Sequence, residues 1–253
     1  MNDIAVLTAS SSSSAESLHN KVVLIFGGTS GIGLSAAVQA KAAGAKVTVI
    51  GFERDKAEQM ASENGFAGWR VADVTKSDTI TAALADIPHV DHLVLLAGSF
   101  VVGKVRETDV TRLQRAFDER VWAAIHTIRA LGDRLAHGGS ITFISGALSD
   151  RPTAGGTAVL AAASAAMEAL ARGLALELAP TRVNTLSPGT TDTPLLGKAL
   201  GANRDAYVAS LQEKLPLRRL GTAAEAGAAV VFLMSNGMIN GETLHVDGGS
   251  RLV

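Results

Sequence analysis

A glycine-rich turn near the start of the chain has the residue types and spacing to bind a pyrophosphate. Residues 27–33 read Gly-Gly-Thr-Ser-Gly-Ile-Gly, after the apolar run 22–26 and before a helical pattern. Glycines at these positions let the backbone turn sharply, let a phosphate approach closely and let the helix pack on the strand. The helix N-terminus would offer free N–H groups to negative charge. Tight turns alone also select glycine, so it is the strand–turn–helix context that favours a phosphate site over a plain turn.

The segments around this turn alternate between strand and helix patterns. Strands are predicted at 22–26, 46–51, 67–72, 90–96, 140–145, 182–186 and 243–246, and helices at 31–43, 54–64, 76–85, 107–131, 155–178 and 222–234. Strict alternation predicts right-handed crossovers between parallel strands. The expected fold class is therefore α/β: a doubly wound Rossmann fold with a seven-stranded parallel sheet flanked by helices on both faces.

The first twenty residues differ in composition from the rest. Residues 10–14 are an uninterrupted serine run with nothing to bury, so residues 1–20 are predicted to be a disordered tail. Residues 21–253 are predicted to form one dinucleotide-binding domain, because no internal repeat or second linker is visible.

Composition and charge limit the classes of partner. The chain has 253 residues, is 47% hydrophobic and carries a net charge of −1. That size suits one large core, and the charge argues against nucleic acid or a membrane surface as a partner. No stretch was expected to provide the roughly 20 apolar residues that span a bilayer, and no signal peptide is visible, so the expected location is the cytoplasm. The absence of cysteine excludes disulfides and thiolate metal sites, and the six histidines show no ligand spacing.

Further motifs, taken with the glycine turn, resemble the classical short-chain dehydrogenases/reductases between residues 21 and 249. Leu95 and Leu96 replace two asparagines of the family pattern. The matching positions are Gly27, Gly31 and Gly33; Asp73 and Val74; Ala97 and Gly98; Arg182, Val183 and Asn184; Ser187, Pro188 and Gly189; Thr193 and Pro194; and the Val-Asp-Gly-Gly of residues 246–249. The resemblance implies an NAD(P)-dependent oxidoreductase that acts on a small molecule.

The resemblance also implies which residues contact the cofactor. They are Gly27, Thr29, Ser30, Gly31, Ile32, Gly33, Phe52, Arg54, Asp73, Val74, Ala97, Gly98, Ser164, Pro188, Gly189, Thr191 and Thr193. Each match has a plainer alternative. Asp73 could cap the next helix, Ala97 and Gly98 could be small only for packing, and residues 188–189 could be an ordinary turn.

Catalysis is where the chain departs from the family. Members of the family share a catalytic tetrad of Asn, Ser, Tyr and Lys. In it, the tyrosine exchanges a proton with the substrate and the lysine lowers the pKa of the tyrosine. In the register of the sixth helix, Leu160 stands at the tyrosine and Ser164 at the lysine, and Gly146 stands at or beside the serine position. Arg120 takes the asparagine position. The chain contains one tyrosine, Tyr207, and no lysine between residues 104 and 198, so no Tyr-x-x-x-Lys exists.

Ser145 and Arg120 are the candidate substitutes. Ser145 lies where the family binds substrate, although a strand-end hydrogen bonder is the favoured alternative. Arg120 could bind an acidic substrate or stabilise an oxyanion, whereas the favoured alternative is a surface position or a salt bridge. Thr157 and residues 149–151 also lie on the substrate side. Tyr207 falls in segment 195–217, which in the family is a mobile lid.

The cofactor preference depends on the end of the second strand. An acidic residue there would accept the 2′-hydroxyl of NAD(H). Gly51 instead leaves room for a 2′-phosphate, Arg54 could pair with it, Glu53 could oppose it, and Phe52 neither selects nor repels it. The expectation is NADP(H) over NAD(H).

These features predict two alternative classes of function and one type of oligomer. The first class is an oxidoreductase with a non-standard proton route, suited to a hydride acceptor that needs no strong acid. The second is a catalytically silent dinucleotide-binding sensor or partner subunit. Helices 107–131 and 155–178 correspond to the helices that pair subunits in the family, which predicts a homodimer or homotetramer.

Overall fold

Strands and helices alternate through residues 18–253, the part of the chain that the computed structural model describes. The strands are β1 (Val22–Phe26), β2 (Lys46–Gly51), β3 (Gly68–Val71), β4 (Val90–Leu95), β5 (Leu135–Ile144), β6 (Arg182–Pro188), β7 (Thr191–Asp192), β8 (Gly221–Thr222) and β9 (Thr243–Val246). The helices are α1 (Gly31–Ala42), α2 (Arg54–Asn64), α3 (Ser77–Leu84), α4 (Val110–Phe117), α5 (Ala123–Leu131), α6 (Ala158–Glu177), α7 (Pro194–Leu200), α8 (Arg204–Lys214) and α9 (Ala223–Ser235).

The main sheet confirms the predicted fold class. Seven strands pair in the order β3-β2-β1-β4-β5-β6-β9, and every pair is parallel. The direction of strand succession reverses between β1 and β4. In open α/β sheets, ligands bind outside the carboxyl ends of the strands at such a reversal. The topology therefore places a cleft above the ends of β1 and β4.

Helices cover both faces of the sheet, which explains the continuous apolar runs in the strands. One face packs Phe26 and Phe143 against side chains of α3, α5 and α6, which include Ile80, Ala124 and Met167. The other face packs Val23, Val49 and other small or branched side chains against α1 and α9. The two hydrophobic layers fix the strand register, because a one-residue slip would exchange the two faces.

The N-terminal boundary of the domain needs correction. Most of the predicted tail, residues 1–17, lies outside the described residues. Residues 18–20 form a turn instead of tail, and the Leu18 side chain is 1% exposed and packs with Ala43 in the core. The Leu18 N–H also donates to the Ala43 carbonyl oxygen at 3.1 Å. The apolar side chain and this bond attach the segment to the domain.

Three elements differ from the sequence-based expectation. The predicted helix 107–131 is divided into α4 and α5 by a π-helical turn, Asp118–Trp122. Segment 195–217, expected as a lid, contains α7 and α8, and the short strands β7 and β8 pair beside it. β5 begins at Leu135 because a register shift lets its first residues pair with Val90. These features depend on contacts between distant segments, which periodicity does not report.

Helix α6 corrects the composition argument against a membrane span. An 18-residue window within its 20 residues has a mean hydropathy of 1.5, so by length and composition alone it is apolar enough to cross a membrane. In the fold it is a core helix that buries Met167, Ala171 and Ala175 against the sheet.

Candidate functional site

The glycine turn after β1 lies at the cleft, and two of its glycines, Gly27 and Gly33, have no space for a side chain. A Cβ on Gly33 would lie 2.2 Å from the Gly27 carbonyl oxygen, so helix α1 can pack this closely only on a glycine. Gly27 has φ +79°, and a Cβ there would lie 2.9 Å from the backbone nitrogen of Ala97. The turn therefore brings the ends of β1 and β4 together and leaves its outer surface bare.

The N-terminus of α1 is free to bind an anion. Ser30 is its N-cap residue, and its side chain makes no capping hydrogen bond. The first turn of the helix contains no acidic residue. Thr193 closes this end of the cleft, because a Cβ on Gly31 would lie 3.4 Å from the Thr193 side chain. Uncapped amides, a positive dipole end and a bare glycine surface fit the pyrophosphate of a dinucleotide.

The adenine side of the expected cofactor site contains Asp73 and Val74. The Asp73 carboxylate accepts hydrogen bonds from the Thr75 N–H at 3.0 Å and the Thr75 hydroxyl at 2.7 Å. Burial raises the pKa of Asp73, but these bonds and the charge of Lys76 together lower it by more, so the net shift is downward. Lys76 is the N-cap residue of α3, so Asp73 shapes the preceding turn and does not cap the helix.

The Arg54 guanidinium stacks on an aromatic ring. Its Cζ atom lies 5.1 Å from the centre of the Trp69 ring, in the geometry of a cation–π contact. Phe52 is 72% exposed. Gly51 has no room for a side chain, because a Cβ there would lie 2.7 Å from the Thr29 methyl group. The open end of β2 thus contains an exposed ring and a guanidinium held to one side.

The remaining cofactor candidates lie at the carboxyl ends of β4 and β6. Gly98 follows β4 beneath the Arg120 guanidinium, which is described below. A Cβ on Gly189 would lie 2.8 Å from the Asp247 Cα, and its N–H donates to the Val246 carbonyl. Thr191 is buried and donates to the Gly189 carbonyl oxygen at 3.0 Å. This turn is held tightly against β9.

The two residues that the sequence register aligns with the family's tyrosine and lysine are both buried. Leu160 is 3% exposed and packs with Val101, Ala116 and Ala163 in a small apolar cluster. Ser164 is 4% exposed on the same helix. Neither side chain carries a charge, and leucine has no proton to exchange. The register that placed these residues in the family's tyrosine and lysine positions thus puts two buried, uncharged groups there.

Ser145 is hydrogen-bonded to a carboxylate that the sequence analysis missed. Its hydroxyl donates to Glu168 Oε1 at 2.5 Å, and the Ser149 hydroxyl donates to the same oxygen at 2.8 Å. Glu168 lies four residues after Ser164 and is therefore one turn further along α6. That spacing was visible in the sequence. What α6 faces across the β5–α6 loop was not.

Arg120 lies neither on the surface nor in a salt bridge, so the favoured alternative for it was wrong. Its guanidinium donates to the Ser99 carbonyl at 3.0 Å and more weakly to the Ala116 carbonyl at 3.5 Å. A Cβ on Gly98 would lie 3.2 Å from its Cζ atom. Burial lowers the pKa of Arg120, and the charge of Glu119 offsets this in part. The π-helical turn is what carries Arg120 inward.

The other substrate-side candidates have structural partners. The Thr157 hydroxyl accepts from the Thr153 N–H at 2.7 Å. Asp150 lies 3.4 Å from the His245 Nε2, and Arg151 contacts the carbonyl of Val253. Tyr207, on α8, is 42% exposed. Within residues 18–253, no cluster of three or more His, Cys, Asp or Glu side chains could hold a metal ion.

Comparisons with known proteins agree with this arrangement. A family model described as enoyl-(acyl carrier protein) reductase matches residues 27–251. A 2-keto-3-deoxy-L-fuconate dehydrogenase of Xanthomonas campestris is 31% identical over 241 residues, which cover 92% of this chain and 80% of that protein. A cyclic-di-GMP-binding biofilm dispersal mediator protein of Escherichia coli is 30% identical over 217 residues, which cover 84% and 89%.

A solved structure agrees as well. A small-chain dehydrogenase in complex with NADPH is 34% identical, covers 92% of this chain and 100% of its own, and superposes with a TM-score of 0.80. Sheet order, glycine turn and full-length similarity lead to the same result. The chain belongs to the short-chain dehydrogenase/reductase family of NAD(P)-dependent oxidoreductases.

Proposed function

We propose that this protein is an NAD(P)(H)-dependent oxidoreductase that transfers a hydride without the tyrosine–lysine proton route of its family. The observation that carries the proposal is the combination of a complete pyrophosphate cradle with Leu160 buried in an apolar cluster. This cradle consists of the glycine turn, the uncapped N-terminus of α1 and Thr193, whose side chain closes one end of the cleft. A leucine in an apolar cluster has no proton to give.

The residues of the cleft would hold the cofactor from three sides. Amides at the start of α1 would bind the pyrophosphate, Val74 and Ala97 would flank the adenosine, and Thr193 and the 188–189 turn would hold the carboxamide. The bound nicotinamide supplies or accepts the hydride. Fixing cofactor and substrate side by side contributes to rate through proximity alone. A positioned proton donor would add about 10²–10⁴-fold.

Ser145 and Glu168 are the groups we assign to proton transfer. In the oxidative direction the Ser145 oxygen accepts the substrate proton while its own proton passes to Glu168. In the reductive direction protonated Glu168 returns a proton to Ser145, which gives its own to the substrate oxygen. The short bond between them and the second bond from Ser149 orient the carboxylate for this exchange. The net transfer is one proton in either direction.

An activated alkene suits this site better than an unactivated ketone. Hydride addition to an alkene conjugated with a carbonyl moves charge onto the carbonyl oxygen, and the resulting enolate then takes its proton from Ser145, which Glu168 reprotonates. This demands a weaker acid than direct ketone reduction. An enoyl thioester, the substrate class named in the matching family model, is such an alkene.

NADP(H) is the cofactor we favour over NAD(H). A cation–π contact at an exposed site contributes about 0.5–1 kcal/mol, whereas charge-assisted hydrogen bonds contribute about 1.5–3 kcal/mol. Arg54 would therefore leave the Trp69 ring for a 2′-phosphate. The similar dehydrogenase solved with NADPH supports this choice. We further propose a cytoplasmic location and a homodimer or homotetramer.

A catalytically silent dinucleotide-binding protein is the second candidate. The burial of Leu160 supports it, because a leucine packed with Val101 and Ala116 serves the core and not a reaction. The Escherichia coli relative that is named for binding a dinucleotide supports this class as well. The two candidates differ in whether any substrate consumes NAD(P)H.

The test separates binding from turnover. We expect the purified protein to bind NADPH with a dissociation constant in the micromolar range, measured by cofactor fluorescence. Gly31→Asp should abolish binding because a carboxylate there repels the pyrophosphate. Gly237→Asp, the same change at an open position away from the turn, should not. NADPH consumption with enones and enoyl thioesters, but little with simple ketones, would support the enzyme. Binding without consumption of either would favour the silent protein.

A further inference from the structure

A cluster of charged side chains around Ser99 carries a net positive charge. The Glu119 carboxylate accepts from the Ser99 N–H at 2.6 Å, from its hydroxyl at 2.7 Å and from Arg115 Nη2 at 2.7 Å. Arg120 donates to the carbonyl of the same serine at 3.0 Å. Two guanidinium groups and one carboxylate give a sum of +1. Glu119 is 5% exposed, whereas the Arg115 side chain is 57% exposed, so solvent screens the outer guanidinium and the buried part of the cluster is Glu119 with Arg120.

Arg120 is the member of the cluster without a counter-ion. Glu119 forms its ion pair with Arg115, and no carboxylate oxygen among residues 18–253 lies within 4.0 Å of the Arg120 guanidinium. Its Nε is fully buried without a hydrogen-bond partner. Two of its five N–H bonds have acceptors in the described part of the chain. A buried guanidinium without a partner is costly, and arginine does not lose its proton to avoid that cost.

The unpaired guanidinium lies at the edge of the cleft. It covers Gly98, which lies three residues after the last residue of β4, at the carboxyl end of the sheet. It also lines a small pocket with Val74 and Ala97, two of the expected cofactor contacts, with room for about one water molecule. Arg120 as a whole residue is partly exposed to solvent, so a ligand that enters the cleft beside Gly98 could contact it.

We infer that Arg120 binds a carboxylate group of the substrate. A carboxylate matches the planar fork of a guanidinium and supplies the missing negative charge. The pyrophosphate has its own cradle at the start of α1, so the cofactor does not need this cation. The inference rests on the proposed function in one respect, because the ligand is taken to bind beside the cofactor. The inference adds to the proposed function that the preferred substrates of the cleft carry a carboxylate group.

The experiment compares two probes that differ in charge. Protein saturated with NADPH is titrated by calorimetry with trans-cinnamate and with trans-cinnamamide, which replaces the carboxylate by a neutral amide. We expect cinnamate to bind at least about tenfold more tightly. Arg120→Gln should remove this difference, and Arg120→Lys should retain part of it. Arg112→Gln is the matched control, because Arg112 is an exposed arginine on α4 outside the cluster.

The outcomes distinguish this inference from the proposed function. NADPH binding is measured first for every variant. If the unmodified protein does not bind NADPH, that result refutes the proposed function and not the role of Arg120. Equal binding of the two probes, or a difference that survives Arg120→Gln, would overturn the inference. A selective loss of NADPH affinity in Arg120→Gln would also overturn it by assigning the cation to the cofactor. Thermal melting identifies an unfolded Arg120→Gln, in which case Arg120→Lys decides by the same comparison.

Discussion

The Ser145 hydroxyl and the Glu168 carboxylate lie 2.5 Å apart and join the end of β5 to the buried side of α6. A strand end and a helix that are separated by a loop are thereby locked together. Ser149 donates to the same oxygen, so the carboxylate is held from two directions. If this pair transfers the proton, a substitution that keeps the hydrogen bond but removes the ionisable group should affect catalysis and leave the fold intact.

Glu168→Gln should slow turnover about 10²–10⁴-fold with the affinity for NADPH unchanged, because the amide keeps the shape but cannot carry the proton. The measurement is kcat on an enone that consumes NADPH, with the dissociation constant for NADPH determined separately. Ser149→Ala leaves the Ser145–Glu168 bond in place and should retain most of the activity. An unchanged kcat in Glu168→Gln would remove the pair from the mechanism.

Arg54→Ala should weaken NADPH binding about 10- to 100-fold and NADH binding far less. The guanidinium is the group near the end of β2 able to form charge-assisted bonds to a 2′-phosphate. Trp69→Leu provides a second variant, since it frees Arg54 from the ring. It should leave NADPH binding intact or improve it. Equal losses for both cofactors in Arg54→Ala would exclude the assignment.

Leu160→Tyr should be less stable than Leu160→Phe by about 1–3 kcal/mol in urea unfolding. The two variants have the same ring, and the additional hydroxyl would enter the apolar cluster formed with Val101 and Ala116. A buried hydroxyl without a partner carries a desolvation cost of this size. Equal stability of the two variants would mean that the hydroxyl reaches the cleft. In that case Leu160→Tyr together with Ser164→Lys should raise the reduction of simple ketones.

His92 should make the fold sensitive to acid. Burial lowers its pKa to about 4, and the ring nitrogen Nδ1 lies 2.8 Å from the Ser140 hydroxyl. The ordinary pKa of about 6.5 applies in the unfolded chain. Because the unfolded state binds the proton first, this stability is present above about pH 6.5 and is lost as the pH falls towards 4.

The loss should amount to about 2 kcal/mol between pH 7 and pH 5, in the free energy of unfolding. His92→Gln does not titrate and should show a correspondingly flatter pH dependence than the unmodified protein. Urea unfolding at the two pH values measures the difference. Parallel curves for the two proteins would show that His92 does not control acid sensitivity.

The exposed face of α6 should pair with a second copy of the chain. Ala162, Ala165, Ala169 and Gly173 lie on that face, and Leu176 at its end is 83% exposed. Small side chains allow close approach of two helices, and closed symmetric oligomers are common. Light scattering should report a dimer or tetramer at micromolar concentration. Ala165→Arg should shift it to monomer, whereas only monomer in the unmodified protein would refute the expectation.

The sequence by itself determined the sheet, the glycine turn and the absence of any Tyr-x-x-x-Lys spacing. Buried parallel strands read as continuous apolar runs, and residues 22–26 and 46–51 were located without error for that reason. The need for glycine at Gly27 and Gly33 follows from the local geometry of a strand–turn–helix. Counting residues shows that the chain has a single tyrosine, Tyr207.

Only the tertiary structure decided the partners of Glu168 and Arg120. Glu168 is an ordinary helical glutamate in the sequence, and its importance depends on Ser145 and Ser149 meeting it across a loop. Arg120 was expected on the surface because charged residues in helices are usually exposed. The π-helical turn changes the helical phase at Asp118–Trp122 and carries the side chain to Gly98. Periodicity describes one helix at a time, whereas these contacts depend on how separate elements pack together.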